Sequence, residues 1–295
     1  MRVLVTGATG WIGSAVVPQL LAAGHQVLGL ARSDAAAAAL AAAGADVHRG
    51  GLDDPDSLRA GAAAADGVVH LAYHHDFSDM AGAARADRAA IDALGAALAG
   101  TGGPLLFASG TLGLSPGRVG TEQDVPDPAV HPRVANGQVA MALAASGVRP
   151  VAVRFAPTVH GEGDHGFVAR LVAIAREQGV SGYVEDGANR WPAVHRLDAA
   201  ALVVKALDAA PAGTAVHATA EEGVPAREIA EAIGRGLGLP VASVPADKAA
   251  AHFGWLGGFF AADAPASSTA TRALLGWDPT HPGLIADLDA GHYYR

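Results

Sequence analysis

Apolar residues in the first half of this chain come in short, nearly unbroken runs, each followed by a stretch where they recur at helical spacing. Arg2–Thr6 is the first run; glycines follow, then a helical pattern from Trp11 to Ala23. Gln26–Ala31 leads into the alanine-rich Asp34–Ala43, and Ala45–Arg49 into a helix predicted over Pro55–Gly61. Gly67–Ala72 and Pro104–Ser109 are two more strand patterns, separated by a long helix across Ala81–Ala99, and Val151–Phe155 makes a sixth strand. Strands alternating with helices imply a parallel sheet with right-handed crossovers, and near-continuous Val/Leu runs fit strands covered on both faces.

Beyond Ala156 the rhythm loosens. Phe167–Gln178, Leu197–Ala209, Pro225–Leu237 and Leu284–Leu288 read as helices, the third opened by a proline, and Gly213–Thr219 reads as a strand. Phe253, Trp255, Phe259 and Phe260 in the tail read as core or dimer contacts rather than a binding surface. The predicted architecture is α/β. A doubly wound parallel sheet spans residues 1–155 and is rejoined at about 194–220; residues 156–295 form a smaller, interleaved substrate lobe.

Composition narrows the class. Of 295 residues, 51% are hydrophobic and 17% charged, a soluble globular profile too apolar for disorder. No uninterrupted apolar run reaches the roughly 18 residues a bilayer span needs. The N-terminal run leads straight into structural glycines, so no signal peptide is expected. The chain has no cysteine, which excludes disulfides, Cys-ligated zinc and thiol catalysis; the expected compartment is cytoplasmic. Lys plus Arg number 20 against 29 for Asp plus Glu, a formal charge of −9. Without a basic run, neither nucleic acid nor an anionic membrane is an expected partner. Lysine occurs only at Lys205 and Lys248.

The most informative motif is Val3-Leu4-Val5-Thr6-Gly7-Ala8-Thr9-Gly10-Trp11-Ile12-Gly13, at the first strand-to-helix turn. There Gly7 allows a tight turn, Gly10 lets backbone approach a phosphate, and Gly13 permits close helix–strand packing. The helix N-terminus adds unpaired N–H groups and partial positive charge, so a dinucleotide pyrophosphate is the expected ligand. Thr6–Ser14 and Val68–Ala72 resemble the extended or atypical short-chain dehydrogenase/reductases, with a Rossmann fold. Val194–Ala200 resembles a stretch of the NAD-dependent epimerase/dehydratase family.

The second strand ends in Arg32-Ser33, with no acidic residue at its tip. An Asp or Glu there would bind a ribose 2′-hydroxyl and repel a 2′-phosphate, whereas Arg32 and Ser33 would bind that phosphate. The expected cofactor is therefore NADP ahead of NAD. The resemblance further implies Thr9, Gly10, Trp11 and Ile12 at the loop, Leu52 and Asp53 beside the adenine, and His70, Leu71 and Ala72 beneath the pyrophosphate and nicotinamide ribose.

The family's reductive chemistry uses a Tyr with a Lys four residues on, the lysine lowering the phenol's pKa. The tyrosines here are Tyr73, Tyr183, Tyr293 and Tyr294, and none has a lysine at that spacing. Alignment on Gly147 and Arg154 puts Ala129 in place of the Tyr and Arg133 in place of the Lys. Arg133 can grip the ribose but cannot relay a proton at neutral pH. Ser109 and Thr111, after the fifth strand, are expected to face the nicotinamide. A histidine can act where the tyrosine did, with His131 first and His74 second, helped by Asp76. Tyr73, His160 and Trp191 are expected substrate contacts, with Trp191 as plain core the equal alternative; Asn189 and Arg190 are neighbouring candidates. His195 and Asp198 are read as structural. His74, His75 and Asp76 are adjacent on a loop, and no metal is expected.

The resulting expectation is an enzyme: an NADP-dependent oxidoreductase passing hydride to or from a C=O, C=N or activated C=C of a small apolar substrate, working as a homodimer. An imine needs less acid help at its heteroatom than a ketone, which fits the lost tyrosine. A redox-neutral isomerase, epimerase, dehydratase or cyclase on the same fold, and a non-catalytic NADP-sensing protein, are the alternatives.

Overall fold

The computed structural model describes residues 1–75, 79–129 and 132–295. The central sheet contains β1 (Arg2–Thr6), β2 (Gln26–Ala31), β3 (Asp46–Arg49), β4 (Gly67–His70), β5 (Pro104–Gly110) and β6 (Arg149–Phe155). It is completed by β10 (Thr214–Ala218), and outside it come β7 (Thr158–His160), β8 (Ser181–Val184), β9 (Arg190–His195), β11 (Glu221–Pro225) and β12 (Val241–Val244). Seven of these strands are all parallel in the order β10-β6-β5-β4-β1-β2-β3. The order reverses between β1 and β4, and such a switch point opens a crevice at the strands' carboxyl ends.

The helices are α1 (Gly13–Ala22), α2 (Asp34–Ala42), α3 (Pro55–Ala63), α4 (Met80–Leu98), α5 (Pro132–Ala142), α6 (Phe167–Gln178), α7 (Arg196–Ala209) and α8 (Ala226–Leu237). Four short ones follow: α9 (Ala249–Phe253), α10 (Gly257–Phe260), α11 (Thr269–Leu275) and α12 (Leu284–Asp289). Alternation along β1 decides which helices cover which face. Val3 and Val5 join a core with α1, α2 and α7, while Leu4 joins one with α3 and α4. Side-chain caps set the starts of three helices: Ser33 accepts from Ala36 N–H, Asp54 from Ser57 N–H, and Asp79 from Gly82 N–H.

The smaller lobe has its own core around Trp191, Ile229, Phe253, Phe260 and Leu284. Its sheets are β11-β9-β7 and β12-β8. Val194 and His195 belong to β9 there, and Val194 also packs into the main core, from which the chain continues into α7 and β10. The predicted strand over Gly67–Ala72 ends at His70, because Ala72 N–H takes the Thr6 hydroxyl (3.2 Å) instead of a backbone partner. The short strands β7, β8, β9, β11 and β12 left no readable period, being three to six residues long, with Gly or Pro inside β8, β9 and β11.

Candidate active site

The glycine loop is built for close approach. Gly7 sits at φ +66°, and a Cβ there would lie 2.8 Å from Ala72 N. A Cβ at Gly13 would lie 2.1 Å from the Gly7 carbonyl oxygen. The turn closes through Gly10 N–H to Gly7 O at 2.9 Å, leaving Thr9 and Gly10 exposed above the N-terminus of α1, where Ile12 is the N-cap. This bare backbone cradle with helix N–H groups behind it fits a dinucleotide pyrophosphate. Leu71 and Ala72 pass directly beneath it. Trp11 turns instead to the smaller lobe, its indole donating to Val159 O (2.7 Å) with the Arg196 guanidinium 4.3 Å over its ring.

At the far end of β2, Arg32 is exposed. The Ser33 hydroxyl accepts the Ala36 N–H (3.2 Å) as helix cap, which leaves its proton free to donate outward. Arg49, opposite Ala31 on β3, holds the Asp34 carboxylate at 2.7 Å and so sets a cation against that acid. Sequence reading did not single out Arg49, because only sheet pairing brings it beside β2. Asp53 carries His74, whose Nε2 lies 2.9 and 3.1 Å from its two oxygens. That pair draws His74 toward the end of β3.

At the switch point the structure gathers groups from four elements. Arg133, on the first turn of α5, donates to Ala108 O (3.1 Å), and its guanidinium lies 3.9 Å over the Tyr73 ring. Ser109 on β5 is half-buried and, with His70, Asp87 and Arg133, lines a cavity of about 10 Å3, room for a single water molecule. Behind it runs a buried polar chain. Thr6 Oγ1 accepts the Ala72 N–H, so its own proton goes to His70 Nδ1 at 2.7 Å. That tautomer, assigned from the network, points His70 Nε2–H at Asp87, 3.5 Å away. Asn136 donates to Asp87 and to Ala84 O, each at 2.8 Å. Burial pushes the Asp87 carboxyl up, but His70, Arg133 and Asn136 more than offset it, and the carboxyl stays below its ordinary range. On Tyr73 burial wins over the Arg133 charge, and the phenol is pushed up. Neither Asp87 nor Asn136 was visible as a site residue in the sequence, since each reads as an ordinary polar position on a helix.

Other candidates are not gathered here. Thr111 is buried and spends its amide and hydroxyl on Phe155 O (3.0 and 3.4 Å), tying β5 to β6 instead of facing the crevice. His160 is fully buried, with Nδ1 2.8 Å from Asp287 and its ring 5.5 Å from His195; it joins the tail to β7 rather than shaping a pocket. Trp191 is likewise fully buried, between Phe167 and Phe260, so it is core and not an open wall. His195 stacks on His281 at 4.7 Å, and Asp198 accepts from the His281 and Thr280 amides. His131 and Asp76 lie outside the described residues. A wider depression of about 530 Å3 lies elsewhere, against β10; its Glu122 is committed to the Thr271 amide and hydroxyl at 2.7 and 2.6 Å. Among the described residues no helix is long and apolar enough to cross a membrane.

Known proteins share this fold. The model of the NAD dependent epimerase/dehydratase family matches residues 3–218. An uncharacterized protein of Schizosaccharomyces pombe is 48% identical over 296 residues, with all of both chains covered. The 3-diazoavenalumate denitrifying reductase of a Streptomyces species is 30% identical over 317 residues, covering 96% of this chain and 97% of that one. Among solved structures, the dTDP-glucose 4,6-dehydratase of Streptomyces venezuelae with NAD bound superposes with a TM-score of 0.76 at 22% identity, over 100% of this chain and 97% of the other. The Thermus thermophilus UDP-glucose 4-epimerase complex with NAD also gives 0.76 at 22%, over 99% of each. The chain belongs to the NAD dependent epimerase/dehydratase family.

Proposed function

We propose that the protein is an NADP-dependent reductase that delivers hydride to a polarised C=O, C=N or C=C bond of a small apolar substrate. The observation that carries this reading is the Tyr73–Arg133 pair, a phenol under a fixed cation, brought together from β4's exit loop and α5 beside Ser109. Leu71 and Ala72, against the Gly7 turn, would hold a nicotinamide, which would supply the hydride when bound. Ser109 and Tyr73 hold the substrate heteroatom by hydrogen bonds. Because burial outweighs Arg133, the Tyr73 phenol stays protonated at neutral pH, so it donates and does not act as a base. That favours reduction, where the heteroatom gains a proton, over epimerisation or dehydration, which begin with proton removal by a base. An acceptor that needs little acid help, such as an imine or iminium carbon, suits a phenol with a raised pKa best. The relative named as a denitrifying reductase of a diazo compound supports an acceptor other than a sugar ketone.

Arg32 and Ser33 hold the 2′-phosphate, with Arg49 neutralising Asp34. Calorimetric titration with NADPH and NADH tests this. Micromolar NADPH binding is expected, weakening about tenfold in Arg32→Ala, or about 1.4 kcal/mol. Binding of neither cofactor overturns the proposal. Tyr73→Phe is expected to lower kcat about 100-fold in single-turnover NADPH oxidation with an imine panel; an unchanged rate removes Tyr73 from the chemistry.

A further inference from the structure

The smaller lobe carries aromatic rings in two layers. Trp191, Phe253 and Phe260 are buried and make the floor, with Phe260 5.3 Å from each of the other two. Phe167 rests on that floor, 5.7 Å from Trp191, and meets Trp255 at 5.7 Å and Phe259 at 6.2 Å. Trp255 and Phe259 are 6.1 Å apart. The upper layer is not core: Phe167 and Phe259 are half-buried, and Trp255 is 45% exposed. Of the two readings of the tail aromatics, core or dimer contact, core describes Phe253 and Phe260 but not Trp255 or Phe259.

The upper layer is tied to the cofactor loop. Phe167 opens α6 two residues after His165, whose ring meets Trp11 edge-on at 5.6 Å. Trp11 follows Gly10 directly and is anchored to Val159 O. Asp164 fixes the start of α6 by accepting from Gly166 N–H (2.6 Å) and the Tyr293 hydroxyl (2.9 Å). Across the crevice, His75 stands edge-on to Tyr73 at 5.4 Å. Burial foremost, then Arg133, pull the His75 pKa down.

We propose that Phe167, Trp255 and Phe259 form the substrate wall of this same crevice and take a planar aromatic substrate, stacked so that its electrophilic group points toward Tyr73 and Ser109. This rests on the hydride-transfer reading above. Offset and edge-on ring contacts favour a π-system over a saturated ring of equal size. A sugar diphosphate would need cations along the wall, and these three side chains offer none. The wall adjoins the cofactor cradle along the chain, because Phe167 follows His165 by two residues and the His165 ring meets Trp11 beside Gly10.

The test uses 2-naphthaldehyde and its fully saturated decalin analogue as probes, titrated by calorimetry and tryptophan quenching against the NADP+-loaded protein, where no turnover occurs. The naphthyl probe is expected to bind about tenfold tighter than the saturated one, the size of one or two aromatic contacts. Trp255→Ala should abolish that preference, Trp255→Phe keep most of it, and Phe259→Leu reduce it severalfold, all with unchanged NADP+ affinity. Equal affinity for both probes overturns the inference. So does a Trp255→Ala variant with unaltered probe binding, or one whose only change is dissociation of a dimer by sedimentation. If NADP+ itself does not bind, the hydride-transfer reading fails, and the same titration without cofactor still decides the aromatic wall.

Discussion

Two buried histidine–aspartate pairs sit in different halves of the molecule and serve different ends. His70 and Asp87 lie 3.5 Å apart under the cofactor loop, joined to Thr6 and Asn136. His160 and Asp287 lie 2.8 Å apart at the base of the smaller lobe, flanked by His195 and, at 3.7 Å from Asp287, by His292. Both pairs exclude solvent. The first backs a small cavity that also holds Ser109 and Arg133, at the carboxyl ends of the strands. The second has β7 on one side and α12 on the other, and it closes the tail against the lobe. Both are buried His–Asp pairs, but Asp87 also holds Asn136 and faces the Arg133 charge whereas Asp287 faces His292, and the two pairs differ in position relative to the switch point.

That contrast is sharpest when one carboxylate is removed at a time. Asp87→Ala leaves His70, Asn136 and the Arg133 charge without their shared partner, and is expected to cost about 3–5 kcal/mol in urea denaturation. It should also abolish NADPH oxidation in the fraction that remains folded. Asp287→Ala is expected to cost about 1–3 kcal/mol, with cofactor affinity and turnover per folded molecule unchanged. Equal losses of turnover in the two variants would erase the distinction.

A third buried histidine gives a smaller effect and a check on charge. His217 donates from Nδ1 to Ser267 O (2.7 Å) and receives Arg154 at Nε2 (3.2 Å), a pairing that suits a neutral ring. Burial, with Arg154 adding to it against the pull of Glu122, takes its pKa down to about 4. The unfolded chain then binds the proton first, from its ordinary pKa of about 6.5. Stability should therefore fall as pH drops through the interval between those two values. Melting curves of wild type and His217→Gln across that interval check this, the variant showing the flatter limb. A parallel pair of curves would assign the acid sensitivity elsewhere.

Much of the cofactor half was legible because its signals are local. Gly7, Gly10 and Gly13 are spaced by one turn of chain, and Arg32 directly follows a strand whose end is readable from its Val/Leu run. The chemical centre was less so. Tyr73 and Arg133 belong to separate crossovers, and nothing in either neighbourhood says that a guanidinium will lie over that ring. His160 and Trp191 look like site residues on a linear reading because they stand near family-like segments, yet both are packed into the lobe's interior. Phe167 was read only as the start of a helix; a single Phe there becomes a wall only when the tail folds back on it.

What the sequence by itself determined is the alternation of elements, strands covered on both faces, and the bare glycine cradle. Periodicity and turn chemistry act over a few residues and need no distant partner. What only the tertiary structure decided is which of the scattered His, Asp, Arg and Tyr side chains meet. Strand order carries that information: β4 and β5 are neighbours in the sheet, so His70 comes beside Phe107 and Tyr73's loop comes beside α5. A polar side chain on one element gains its chemistry from what the crossover sets opposite it, and that pairing is a property of the packed sheet.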